Sequence, residues 1–257
     1  MSKNQQSETF YNEFVCLVNI LLHTQKQVCL DKMRFSCVLF LIAISMALAV
    51  SVPIKTVVFP RATHTDYVEL TPLKPLNLRA FTLCMRVGTE LPVNRDIILF
   101  AYRTPDVDEL NLWRNSDGSV GLYLRTSSYS EAVNFHVPQL GALETHLCVT
   151  WDSSTGATAL FMNGRKSLTK IYKQGHSVHS GGKVVLGQDF DSYAGDFDAR
   201  QSFVGEMSDV NLWDSVLSDS TIQDLSSGMR VPRGNVLDWE AAKLKIHGGA
   251  RVINREL

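Results

Sequence analysis

What this sequence lacks first is an excess of charge of either sign. Its 25 Lys and Arg nearly balance 26 Asp and Glu, leaving a formal net charge of −1. So even a balance leaves no electrostatic footprint for nucleic acid. No heptad pattern, long repeat or low-complexity tract occurs, so neither a coiled coil nor a repeat array is expected. No N-x-[ST] triplet is present, which removes N-glycosylation. No G-x-S-x-G marks a nucleophile elbow. The apolar run that starts at Phe35 is roughly 15 residues, short of the ~20 that span a bilayer. Cysteine is sparse, and Cys16, Cys29 and Cys37 all precede residue 50.

That apolar run has a different meaning. Lys32, Met33 and Arg34 precede it, and Ala47-Leu48-Ala49 closes it with small residues. A short positive segment, an apolar segment and an A-x-A ending form a secretory signal peptide. The expected organisation is an extension over residues 1–32, a signal peptide over 33–49 with translation starting at Met33, and one domain over 50–257. Cys84 and Cys148 then remain. An even pair in a secreted chain reads as one disulfide. It would close a loop of about 65 residues and contribute roughly 2–4 kcal/mol. Roughly 205 residues are enough for one large all-β domain.

From Val57 onward the pattern is strands and turns. Residues 81–87 (Phe-Thr-Leu-Cys-Met-Arg-Val) alternate at period two. Residues 96–102, 110–114, 120–124, 146–151, 157–162, 184–187 and 210–213 are also expected to be strands. Asn163-Gly164 marks a tight hairpin. Strands about 8–12 residues apart predict a two-sheet antiparallel jelly-roll sandwich. One short helix is expected over 219–225, with Ser218 as N-cap and Gly228 as stop.

The chemistry concentrates in residues 188–201. Asp189, Asp191, Asp196 and Asp198 lie within ten residues. Packed together they repel, and a hard divalent cation removes that penalty. Calcium takes 6–8 oxygens from carboxylates, carbonyls and amides. The loop is not an EF-hand: counted from Asp189, glycine falls at position 7, and Arg200 stands where a bidentate Glu is required. No His or Cys lies within it, which argues against zinc. A second acidic group, Asp106, Asp108 and Glu109, precedes the 110–114 strand. Taken by themselves, both stretches also read as solvated acidic turns.

Several ordered motifs settle the comparison. His146-Leu-Cys-Val-Thr-Trp151 fits an H-x-C-x-[ST]-W signature. Leu186-Gly-Gln-Asp-Phe-Asp-Ser-Tyr193, Gln201-Ser-Phe-Val-Gly-Glu206, Asp209-Val-Asn-Leu-Trp-Asp-Ser-Val-Leu217 and Asn235-Val-Leu-Asp-Trp239 follow in order. Together they resemble the pentraxins, the family of C-reactive protein and serum amyloid P component, across about residues 57–252. The resemblance implies a jelly roll with one disulfide and one long helix, usually in a cyclic pentamer. It also implies two calcium ions per subunit. Carried over by position, the metal ligands are Asp189, the Phe190 carbonyl, Asp191, Asp198 and Gln201, joined by Asp108 and Asp106. Asp189 is shorter than the Glu of the family pattern, and Phe190 replaces the common Gln. At Phe190 only the carbonyl is required.

The same resemblance implies an anionic ligand, typically a phosphate, on calcium. Trp113 and Tyr123 fall at pocket positions, and Glu131 at one that meets a ligand ammonium group. Tyr123 would narrow the hollow that takes choline methyls, and Trp113 also reads as ordinary packing. The expected role is calcium-dependent recognition of phosphocholine, phosphoethanolamine or acidic-sugar surfaces on microbes or damaged cells, in innate immunity. Complement components are partners by resemblance alone. A pentraxin-fold assembly partner with a degenerate site is the alternative. A jelly-roll glycoside hydrolase would need two carboxylates about 5–9.5 Å apart beside a sugar groove, and no E-x-D-x-x-E strand motif is found. His146, in a strand beside a cysteine, reads as structural. His176 and His179, in a polar loop, are expected to face solvent. No catalytic residue is expected.

Overall fold

The computed structural model describes residues 21, 24–27, 30–37, 53–126, 132–229 and 232–255. The chain divides into two units, 1–52 and 53–257. In the first, the described residues are helical. Among the described residues no helix is long and apolar enough to cross a membrane.

The second unit is a two-sheet sandwich. Its strands are β1 (Ile54–Phe59), β2 (Tyr67–Thr71), β3 (Ala80–Gly88), β4 (Ile97–Arg103), β5 (Asp108–Arg114), β6 (Val120–Thr126), β7 (Val133–Phe135) and β8 (Thr145–Asp152). They continue with β9 (Ala157–Met162), β10 (Arg165–Lys166), β11 (Lys170–Ile171), β12 (Lys183–Leu186), β13 (Gly205–Trp213), β14 (Lys243–His247) and β15 (Arg251–Arg255). An eight-stranded sheet runs β10-β9-β8-β3-β13-β1-β15, with β11 also pairing β9. A seven-stranded sheet runs β14-β2-β12-β4-β5-β6-β7. The antiparallel jelly-roll expectation is met. Asn163 and Gly164 both adopt positive φ, 50° and 76°, as the tight β9–β10 hairpin requires.

Period-two alternation sends one set of side chains between the sheets. Leu83, Met85, Leu110, Leu112, Val149, Trp151 and Leu212 belong to that interior. Each sheet also has an apolar outer face that needs cover. On the eight-stranded sheet, Cys84, Cys148, Phe161 and Trp213 are covered by Ile222 and Leu225. These two come from helix α1 (Asp219–Ser226), where they lie three residues apart on one face. The Ser218 hydroxyl caps α1 by accepting from the Thr221 backbone N–H at 3.1 Å. The helix has eight residues, so the long helix implied by the resemblance is here a short one. Cys84 and Cys148 stand directly opposite each other on β3 and β8 and are joined as a disulfide.

On the seven-stranded sheet, the outer-face cluster is Ile98, Ala101, Trp113, Tyr123 and Val185. No helix covers it. The ring of Phe190, from the acidic loop, joins this cluster, and Phe197 packs beside it. The loop therefore sits on this face because it carries two aromatic residues among its carboxylates.

His146 pairs with Arg86 across β8 and β3 and is 2 % exposed. Its Nε2 lies 3.6 Å from the Cys148 sulfur. Burial first, and then the charge of Arg86, hold its imidazole down at about 4. An unfolded histidine titrates near 6.5, so on acidification the unfolded chain takes up the proton first. Stability should therefore fall between pH ~6.5 and ~4 by about 3 kcal/mol and level off below that. His146→Gln should flatten this part of a urea-midpoint profile against pH; an unchanged slope would refute a buried neutral histidine. His176 does not face solvent as expected. It is half-buried with its ring centroid 6.2 Å from that of Trp151, because residues 176–178 pack back on the sandwich through Val178. His179 is exposed, but its Nδ1 lies 3.1 Å from Oε2 of buried Glu109.

Candidate metal centre

Two stretches of chain meet at the end of the β4–β5 hairpin. The hairpin turn is closed by the Thr104 N–H and hydroxyl, both donating to the Val107 carbonyl at 3.0 and 3.1 Å. Asp106 is exposed at this turn. Asp108 begins β5 as the cross-strand partner of Arg103. The Arg103 Nη1 lies 2.8 Å from Asp108 Oδ2 and donates at 3.4 Å to the Phe190 carbonyl.

The acidic loop enters through Gln188, whose buried side-chain amide donates to the Thr63 and Asp66 carbonyls. Asp189 follows and is 5 % exposed. One of its oxygens accepts from Asn111 Nδ2 at 2.9 Å. Burial first, then the charges of Asp108 and Asp191, hold its carboxyl well above the usual carboxylate range. Asp108 is also raised, by burial and by Asp191, although its bond to Arg103 pulls the other way. Asp191 is raised by burial and by the charges of Asp198 and Asp196. The carboxylates are thus close enough to penalise one another.

Past Asp191 the chain turns sharply. Ser192 and Gly195 exchange backbone hydrogen bonds at 3.2 and 3.0 Å, with φ of +130° at Gly195 and +51° at Asp196. The Asp196 carboxylate accepts from the Ser192 hydroxyl at 2.7 Å. Asp198 pairs with the exposed Arg200 at 2.7 Å, and that contact holds its carboxyl below the ordinary range. The loop leaves under the Arg95 guanidinium, which donates to the carbonyls of Ala199, Arg200 and Ser202. Gln201 is anchored through its main chain, its carbonyl accepting from the Ile98 N–H at 3.1 Å.

The fold therefore brings Asp108, Asp189, the Phe190 carbonyl and Asp191 together, with Asp198 coupled to Asp191. Asp106 stands apart, exposed. Trp113 is 3 % exposed and Tyr123 9 % exposed, both within the cluster that Phe190 joins. The Tyr123 hydroxyl donates to Asn115 Oδ1 at 3.1 Å. Glu131 lies outside the described residues. Three site residues carried no sequence signal of their own: Arg103, Asn111 and Arg95. Each acts on a residue far away in sequence, which only the folded structure discloses.

The donor set fits a hard cation. It is all oxygen, it is in excess of negative charge, and one of its carboxylates is almost fully buried. Asp108 Oδ1 is buried with no hydrogen-bond partner among the described residues. Among the described residues, the group of metal-ligand types whose ligand atoms all lie within 4.8 Å of one another is Cys84, His146 and Cys148, and its sulfurs are spent in the disulfide; the carboxylates of the acidic site are spaced more widely than this.

Comparison with known proteins decides the family. The Pentaxin family model matches residues 55–254. The chain belongs to the pentraxin family. It is 53 % identical over 200 residues to C-reactive protein of Danio rerio, covering 77 % of this chain and 88 % of that one. It is 41 % identical over 197 residues to serum amyloid P-component of Homo sapiens, covering 76 % and 84 %. Among solved structures, a heptameric SAP-like pentraxin from Limulus polyphemus superposes with a TM-score of 0.66 at 26 % identity, covering 79 % of this chain and 96 % of that one.

Proposed function

We propose that this pentraxin is a secreted, calcium-dependent recognition protein for phosphate-bearing or acidic ligands. The observation that carries this reading is Asp189, a carboxylate 5 % exposed and flanked by two further carboxylates. Burial and the neighbouring carboxylates both disfavour its charged form, and a bound cation offsets both. Asp108, Asp189, the Phe190 carbonyl, Asp191, Asp198 and Gln201 would hold two calcium ions, with Asp106 available from the turn. Bound calcium, left partly unsaturated by protein oxygens, would accept phosphate or carboxylate oxygens from a ligand.

The chain's own residues set the rest of the site. Asn111 orients Asp189. Arg95 ties down the far end of the loop through three carbonyls. Tyr123 and Trp113 form the floor under Phe190, and Glu131 is the proposed contact for a ligand ammonium group. A signal peptide over 33–49 and the Cys84–Cys148 disulfide both suit secretion. The Limulus relative is heptameric, and a cyclic homo-oligomer, a pentamer by the family resemblance, is proposed here. A ring of weak sites gains about 10²–10⁴-fold in avidity, which suits recognition of microbial or damaged-cell surfaces and recruitment of complement components.

The test is retention on phosphocholine and phosphoethanolamine resins. In calcium the protein should be retained on at least one, and chelator should elute it fully. Retention that survives chelator would overturn the reading.

A further inference from the structure

We propose that Arg103 is a built-in counter-ion that calcium must displace, so that metal binding is an exchange of one cation for another. This rests on the calcium reading above. Arg103 is held by Asp108 Oδ2 and by the Phe190 carbonyl, at 2.8 and 3.4 Å. The Asp108 carboxylate and the Phe190 carbonyl are both assigned to the metal. A calcium ion coordinated by both oxygens at 2.3–2.6 Å would take the place that Nη1 holds against them, and its charge would repel the guanidinium.

Position in the fold explains how the arginine comes to be there. Arg103 and Asp108 are cross-strand partners at the turn end of the β4–β5 hairpin, so their pairing does not depend on the loop. The loop brings the Phe190 carbonyl to the same guanidinium. Arg103 is the positive charge acting on Asp108, Asp189 and Asp191 alike. It neutralises part of the cluster and lets the loop close without metal.

The pairing is nevertheless incomplete, which makes it exchangeable. Asp108 Oδ1 and Arg103 Nε are both buried without a hydrogen-bond partner among the described residues. A bidentate arginine–carboxylate fork would have used both. Calcium can satisfy the orphaned oxygen, and the released guanidinium can satisfy its Nε in water. The arginine therefore lowers calcium affinity by the share of molecules in which it holds the ligands.

Two measurements test this. In calorimetry, Arg103→Gln should bind calcium about tenfold more tightly than wild type, because the competitor is gone. In the wild-type protein, phenylglyoxal labelling of Arg103, followed by peptide mass spectrometry, should be faster in calcium than in chelator. Arg251, exposed on β15 of the other sheet, normalises the reagent. Equal or weaker calcium affinity in Arg103→Gln overturns the proposal while leaving the calcium reading intact. So does labelling that is unchanged or slower in calcium, and this second arm decides alone if the variant does not fold. Absence of any calcium heat from both proteins overturns the calcium reading and this proposal with it.

Discussion

Asp189→Asn should abolish calcium binding and at the same time raise the melting temperature of the calcium-free protein. The two effects have opposite signs because Asp189 serves a ligand that a folded but metal-free chain does not have. Its carboxylate is 5 % exposed and receives one side-chain hydrogen bond, from Asn111. Asp108 and Asp191 both work against its charge. An amide has the same shape, keeps an oxygen for Asn111, and removes the buried charge. The calcium-free variant should gain about 1 kcal/mol, which is roughly 2–4 °C for a chain of this size. Calcium affinity should fall by more than about 100-fold, beyond what loss of an outer-shell partner costs. Calorimetry and thermal unfolding in chelator read the two signs separately. Unchanged calcium affinity would show that Asp189 is not a ligand. A lower melting temperature in chelator would show that its charge is compensated within the protein.

Phe190→Ala is expected to have the second largest effect, although it removes no ligating atom. The Phe190 ring is 4 % exposed and sits with Ile98, Ala101, Trp113, Tyr123 and Val185. It also lies 5.4 Å from the Phe197 ring. Phe197 meets Tyr67 at 4.8 Å, and Tyr67 stacks on His247 at 4.0 Å. This chain of rings fastens the acidic loop to the seven-stranded sheet. Truncating a buried phenylalanine costs about 3–5 kcal/mol. The cost should fall mainly on the loop, since Phe190 is its anchor. Trp113 should become wet, so tryptophan emission should shift to longer wavelength. Trypsin should cut after Arg200 faster, and calcium affinity should drop with the carbonyl no longer held in place. Phe190→Leu, which keeps most of the apolar volume, should do much less. Unchanged emission together with unchanged calcium affinity would remove the anchoring role.

Much of the fold could be read directly. Strands such as β3 and β8 alternate in sequence because the face between the sheets takes only apolar side chains, although both faces of these strands are buried. The Asn163-Gly164 turn and the Ser218 cap are local chemistry, and both formed where that chemistry put them. The edge strands β14 and β15 were not legible. Their residues are largely exposed, so no alternation marks them. The helix was placed correctly from its cap, yet the family pattern overstated its length. His176 was misjudged because a polar loop need not face water when Val178 beside it is drawn into the core.

The site was divided in the same way. Sequence by itself determined the family, the acidic loop, the paired cysteines and the residue types able to bind calcium. Those are properties of neighbours along the chain or of ordered motifs. Only the tertiary structure shows how differently Asp106 and Asp108 are placed. A hairpin turn leaves the first exposed, while strand pairing sets the second beside Arg103 and within the reach of Asp189's charge. Only the structure turned Phe190 from a tolerated substitution into an anchor. Its backbone carbonyl could be assigned from position, but a ring's partners are set by packing across the sheet. The same holds for Arg103 and Asn111, whose roles come from charges and hydrogen bonds to a loop roughly 80 residues further along the chain. Interactions at that range are fixed by burial and strand register, and no local pattern records them.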